Sequence, residues 1–409
     1  EPPAPAPTPA VAAAVNRIVL VDPEGRLATV APDGSDLRTL TPAGPRFQFP
    51  AWSPDAGRVA ATGGDDERGL VVVVADRPGA APTTLYESAL RPPFYLYWSP
   101  DGRRISFLAN EPSGALRPGI ALHLVPADGG AESRIVQTGQ PFYWQWTADS
   151  SRLFIHVGGA GRDARLAFVA ADGQVVQEGL AIPGFFQAPG ISPNGRWLSF
   201  AEATDAGSQV VALRPADGQR RTAPHRGLAA MSWSPAADLL AFTSPTADSA
   251  SFFGPLRLLD VETGSVDTLV NETVFCFFWS PDGRAIAYLT RDDGRRGPQV
   301  GRSKDFISDA QPQGHPPIRL RLSLVDVASG QVRTLTTFQP TAVFITQFIP
   351  FFDQYALSHR LWSPAGDALV LPMVDDQGQE GIYVVSASGD AAGERRRVAD
   401  GSMAFWSPR

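Results

Sequence analysis

The chain has almost no cysteine and almost no lysine. Cys276 is the single cysteine among 409 residues, so no internal disulfide can staple the fold. It lies in the apolar run Val274-Phe275-Cys276-Phe277-Phe278-Trp279, where a thiol acts as a small hydrophobe rather than a reactive group. So little cysteine neither requires nor excludes an oxidising compartment. Lys304 is the only lysine; arginine carries the rest of the positive charge, a bias that GC-rich bacterial coding explains without a functional argument. Basic residues number 35 against 42 acidic ones, for a net charge of −7. That balance excludes the broad basic field a general nucleic-acid or anionic-membrane binder needs. No apolar stretch approaches the roughly 20 residues of a membrane-spanning helix. No segment reads as a helix of 3.6-residue apolar period, which sets aside a helical solenoid. Hydrophobic residues at 43% and charged residues at 19% are the proportions of a folded chain, not a disordered one.

What the chain has instead is a recurring phrase. Trp98-Ser99-Pro100-Asp101-Gly102-Arg103-Arg104-Ile105-Ser106-Phe107 returns as Trp279-Ser280-Pro281-Asp282-Gly283-Arg284-Ala285-Ile286-Ala287-Tyr288. Worn copies begin at Trp52, Trp146, Ile191, Trp233 and Trp362, and a last one begins at Trp406. The spacings are 46, 48, 45, 42, 46, 83 and 44 residues. A period in the forties marks a propeller or solenoid array.

One period reads as four short strands. In residues 92–139 an aromatic strand ends at Trp98, and Ser99-Pro100-Asp101-Gly102 supplies turn chemistry. Strands follow at 104–108, 121–125 and 133–136, separated by Gly, Asp and Pro. The spacing predicts an all-β, single eight-bladed β-propeller of four-stranded blades, with seven blades as the alternative should the weak third or fourth copy be something else. The motif tryptophans Trp52, Trp98, Trp146, Trp233, Trp279, Trp362 and Trp406 read as packing between blades. These repeats resemble the TolB-type, WD40-like propeller family, on Trp-Ser-Pro-Asp-Gly followed by a basic residue and an Ile/Val-x-Phe/Tyr strand. The resemblance covers residues 16–409 and speaks to fold, not to task.

Met403–Trp406 reads as one strand, the inner one, of a last blade. Segments 17–21, 26–30 and 37–40 read as its other three strands, so the expectation is a blade shared between the termini. Residues 1–15 form a Pro/Ala-rich tether. That tether, with a first residue Glu1 rather than Met, points to an exported, periplasmic or extracellular bacterial protein, possibly held by a lipid anchor upstream of Glu1.

The 83-residue gap contains one blade with two insertions, 291–317 and 339–358. In a propeller both would fall on the face opposite the motif turns, where long loops concentrate function. The same face gathers aromatics at the starts of inner strands. Strand side chains alternate, so part of this set should line an exposed funnel. The candidate partner-binding residues are Phe94, Tyr95, Phe142, Tyr143, Trp144, Phe185 and Phe186, with Phe344, Phe348, Phe351 and Phe352 from the second insertion. Family resemblance implies a protein or peptide docking there.

Catalytic signals are weak. There is no Gly-x-Ser-x-Gly elbow and no hydrolase domain. The histidines His123, His156, His225, His315 and His359 are scattered without metal-ligand spacing, so neither a metal nor a cofactor is expected. His225 and His359 stand near inner strands and could approach the axis. The expectation is a non-catalytic protein-binding or assembly module of the bacterial cell envelope. The alternatives are a propeller lyase or hydrolase with an axial site, and an accessory or scaffolding subunit of a larger envelope complex.

Overall fold

The computed structural model describes residues 16–111, 119–159, 164–184, 187–205, 207–247, 251–292 and 318–409. The tether 1–15, most of the first insertion, and Phe185 and Phe186 lie outside them.

The recurring motif folds through one serine. Ser99 Oγ donates to Asp101 Oδ1 at 2.6 Å and accepts the Arg104 N–H at 2.9 Å. The Gly102 N–H closes the turn on the Ser99 carbonyl, and Gly102 takes φ +69°, a value that favours glycine. Ser53 with Asp55, Ser280 with Asp282, and Ser192 with Asn194 repeat the same bonds. Thr147 with Asp149 does so too, and there three hydroxyl and amide donors pull the carboxyl down to about 2. Proline fills the second turn position because its φ already suits it.

Each turn joins two antiparallel strands, and the chain builds sheets of four. The strands Arg46–Trp52, Arg58–Gly64, Gly69–Ala75 and Thr83–Ser88 form one; Pro93–Trp98, Arg104–Glu111, Gly119–Pro126 and Arg134–Thr138 form the next. Phe142–Trp146 and Gly190–Ile191 each open another. A fifth joins the chain ends: Ile18–Val21 lies between Leu27–Val30 and Met403–Trp406, with Ile18 opposite Trp406 and Val21 opposite Met403. Arg17 and Asp76 form a buried ion pair at 3.1 Å that ties this sheet to its neighbour.

The remaining strands merge into one sheet of ten. The cause is local. Val266–Trp279 runs unbroken for 14 residues, so an outer strand continues directly into the next inner one. Val332–Pro340 likewise pairs at its end with Ala368–Val374. Around Trp362, where a full inner strand is expected, only single bridges form: Arg360 with Trp406 and Trp362 with Leu369.

The motif tryptophans are buried and stitch successive repeats. Trp98, Trp279 and Trp362 each donate Nε1–H at 3.1 Å to the carbonyl just before the previous repeat's tryptophan: Ala51, Ser232 and Phe278. The arginine six residues after one tryptophan stacks on the next, Arg58 over Trp98 at 5.1 Å and Arg104 over Trp146 at 5.5 Å. In the weak fourth copy, Trp197 occupies that arginine's position and is itself fully buried beneath Arg214.

Candidate functional site at the insertion face

The second insertion is not the exposed arm its sequence suggests. Residues Phe344–Phe348 form a π-helical turn, Ile349–Phe351 a 3₁₀ turn and Phe352–Tyr355 an α-helical turn. Phe344, Phe348 and Phe352 are wholly buried. Phe344, Phe348, Phe352 and Tyr355 recur at helical spacing, so their rings leave the coil on one side. That stripe was the signal in the sequence that contradicts the absence of helical periodicity.

The stripe packs against inner strands drawn from four different sheets. Tyr355 meets Phe49 at 4.6 Å and Tyr95 at 5.0 Å between ring centres. Phe352 meets Phe277 at 5.2 Å, and Phe348 meets Phe405 at 5.6 Å. One short segment can touch all of these only from the propeller axis. Residues 341–359 are therefore a plug seated in the funnel.

Its polar groups complete the seat. Gln354 Oε1 accepts the Trp144 N–H at 3.0 Å, and Gln354 Nε2 donates to the Trp144 carbonyl at 2.9 Å and to Tyr95 Oη at 3.1 Å. Asp353 Oδ2 accepts the Ala188 N–H at 3.0 Å. Ser358 Oγ sits 2.7 Å from both Tyr95 Oη and His359 Nδ1, and His359 Nε2 lies 3.1 Å from the Phe49 carbonyl. That carbonyl is aimed by a bulge in which Phe49 adopts φ +47°, an outlier for a bulky residue. Burial pushes the Asp353 carboxyl up to about 6 and pulls His359 down to about 4. His359 is thus a neutral seat for the plug at ordinary pH.

The aromatic residues expected to line an open funnel divide accordingly. Tyr95, Phe142 and Trp144 are buried, as are Phe344, Phe348 and Phe352, because the plug covers the strands and the strands cover the plug. Trp144 spends its indole N–H on Ser106 Oγ. Phe94 and Tyr143 are half-buried, and among the described candidates only Phe351, 47% exposed, stands free on the plug's outer side. Sequence reasoning missed Asp353, Gln354, Tyr355 and Ser358, all of which hold the plug.

The four described histidines do not assemble, and His315 lies outside the described residues. His359 is in the plug, His225 ends the outer strand Gln219–His225, His156 bonds the Gln187 carbonyl, and His123 stacks on Phe107. Among the described residues no group of three or more His, Cys, Asp or Glu is arranged to hold a metal. Cys276 is free and buried, and its surroundings push the thiol well up. No helix of the described residues is long and apolar enough to cross a membrane.

Beside the plug lies a cavity of about 530 Å³. Val343 and Gln347 of the plug form one wall; Arg46, Gln48 and the 63–69 hairpin with Asp66 and Glu67 form the other. Its volume is within the range of roughly 300–1,000 Å³ usual for ligand clefts.

No family model matches the chain, and no curated protein does. Solved structures do. The chain is similar to the dihydro-heme d1 dehydrogenase NirN, with a TM-score of 0.59 at 14% identity over 98% of this chain and 77% of that one. It is similar to a eukaryotic initiation factor, with a TM-score of 0.56 at 12% identity over 95% and 97%. TolB from Acinetobacter baumannii aligns with a TM-score of 0.41 at 16% identity over 89% of this chain and 66% of that one. At these identities the first two likenesses speak to the fold alone, an all-β propeller.

Proposed function

We propose that this is an eight-bladed TolB-type propeller acting without catalysis, as a protein-binding or assembly module of the bacterial cell envelope. Eight blades follow if the 14-residue strand Val266–Trp279 is counted in two sheets and Arg360–Trp362 as an inner strand. The pairing of Ile18–Val21 with Met403–Trp406 then closes the ring. Export and membrane tethering rest on the Pro/Ala-rich stretch before residue 16.

The observation that carries the reading is the plug. An axial enzyme site on the insertion face needs an open funnel with unspent polar groups. Here the funnel is filled by the chain itself, and Gln354, Ser358 and His359 are engaged within the protein. What the face offers is a surface: exposed Phe351, half-buried Phe94 and Ile345, and the cleft beside Gln347. Aromatic anchors next to a cleft suit a protein partner.

Photo-crosslinking in native membranes tests this. A crosslinking residue at Phe351 or Gln347 should trap one discrete partner. The same residue at Asp217, in the turn between two outer strands, should not. Crosslinking at Asp217 alone, or none at either plug position, would overturn the assignment of this face.

A further inference from the structure

The cleft beside the plug holds opposite charges that the protein leaves uncompensated. It encloses about 530 Å³ between the plug, the turn that carries Gly25 and the 63–69 hairpin. Arg46 lines it and begins the inner strand Arg46–Trp52, opposite Gly64 in the ladder. Its guanidinium reaches away from the hairpin, to the Glu24 and Pro23 carbonyls of the adjoining sheet at 3.4 and 3.5 Å. Those distances are the long limit of a hydrogen bond, and neither acceptor is a carboxylate. The acids of that turn are taken: Asp22 and Glu24 both pair with Arg26, at 2.7 and 3.0 Å. Among the described residues Arg46 forms no ion pair.

The hairpin supplies the other sign. The Asp65 N–H closes its tip on the Arg68 carbonyl, which leaves Asp66 and Glu67 as the two turn residues. Asp65 is occupied, accepting the Glu67 and Arg68 amides at 3.0 Å each, and Arg68 pairs with Glu87 at 2.6 Å. Asp66 and Glu67 are exposed, line the cleft and form no ion pair among the described residues. They begin two residues beyond Gly64, about 7 Å along the strand, while Arg46 reaches the other way, so the cation and the acids stand on the order of 10 Å apart. Between them the wall is bare backbone. A Cβ at Gly63 would come within 2.6 Å of the Arg46 carbonyl, and one at Gly64 would collide with the Arg68 carbonyl. Gln48 and, from the plug, Gln347 line the same cleft with side-chain amides that no described residue engages.

We propose that this cleft binds a short free peptide of about three residues, its carboxylate on Arg46 and its ammonium at Asp66 and Glu67. Charges set this far apart match an elongated zwitterion. A single amino acid, with one carbon between its charged groups, cannot reach both ends. At about 3.3–3.6 Å per extended residue, three residues span the gap. Arg46 offers the carboxylate two parallel N–H donors. Gln48 and Gln347 can pair with the peptide backbone as Gln354 pairs with that of Trp144. The site adjoins the partner face at Gln347 but goes beyond that reading: it takes a small ligand with no partner present, and its failure would leave the Phe351 crosslink untouched.

The test is calorimetric titration of the whole chain at pH 7 with the tripeptide alanyl-leucyl-alanine, its N-acetyl form, its C-terminal amide and free leucine. Wild type should bind the free tripeptide saturably. Acetylation or amidation should each weaken binding roughly tenfold or more, the worth of one charged hydrogen-bonded contact, and leucine should bind more weakly still. The double variant Asp66→Asn, Glu67→Gln should bind the free and acetylated peptides alike. Arg46→Met should bind the free peptide and its amide alike. All three positions are exposed, so the variants should melt as wild type does. Should Arg46→Met fail to fold, the amide on wild type carries that arm. No saturable binding to wild type, blocked peptides that bind as tightly as the free one, or variants that still tell them apart would overturn the proposal.

Discussion

Gln354 treats Trp144 as a neighbouring strand would: its side-chain amide accepts the Trp144 N–H at 3.0 Å and donates to the Trp144 carbonyl at 2.9 Å. The inner strand Phe142–Trp146 has a free edge at the axis, and one glutamine satisfies the edge at its centre. Gln354→Ala removes both bonds and leaves a buried N–H and carbonyl unpaired. The expected loss is about 2–4 kcal/mol. Urea titration of the variant checks it. A loss below about 0.5 kcal/mol would mean that water replaces the amide.

The plug's rings should behave as core. Phe348→Ala and Phe352→Ala are each expected to cost about 3–5 kcal/mol, while the exposed Phe351→Ala should stay within about 0.5 kcal/mol. Replacing residues 345–353 with a Gly-Ser linker should unfold or severely destabilise the protein, because it uncovers the inner strands. Chemical denaturation separates these outcomes. Equal costs at positions 351 and 352 would show that the plug sits otherwise than described.

Acid stability should reflect three groups. His359 and His156 are buried neutral, each pulled by burial from 6.5 to about 4. The unfolded chain protonates them first, so their stabilisation is complete above about 6.5 and is lost as pH falls toward 4, roughly 3 kcal/mol each. Asp353 runs the other way. Raised from 3.8 to about 6, it keeps a proton in the folded state that the unfolded chain has lost. Its contribution is greatest below 3.8 and falls as pH rises to 6, partly offsetting the histidines between those values. Denaturation midpoints at pH 7.5, 5.5 and 4.5 should fall for wild type, more steeply for Asp353→Asn, and less steeply for His359→Gln. A His359→Gln profile that falls as steeply as that of wild type would remove His359 from the account.

The tryptophan stitch can be separated from tryptophan's bulk. Trp98→Phe keeps most of the ring but strands the Ala51 carbonyl and loses the Nε1 donor, at an expected cost of about 1–2 kcal/mol. Trp98→Ala adds the cavity and should cost about 3–5 kcal/mol. If the two variants melt alike, the hydrogen bond rather than the packing dominates.

Much of this protein is written locally. Ser-Pro-Asp-Gly specifies its turn because the bonds that close it lie within six residues, from Ser99 to Arg104. The strand spans and the pairing of the two termini follow from period-2 patterning and from one missing blade edge, which short-range chemistry and counting can see. The fate of residues 341–359 is another matter. Their phenylalanines are apolar enough for a docking arm or for a core, and the choice depends on what stands opposite them: Phe49 turned inward by a bulge, Tyr95, Trp144, Phe277 and Phe405, drawn together from segments as much as 310 residues apart. The same holds for Arg17, one arginine among many in the chain. Only the tertiary structure sets it 3.1 Å from Asp76, in the neighbouring sheet, because charge pairing is decided by neighbours in space and not in sequence.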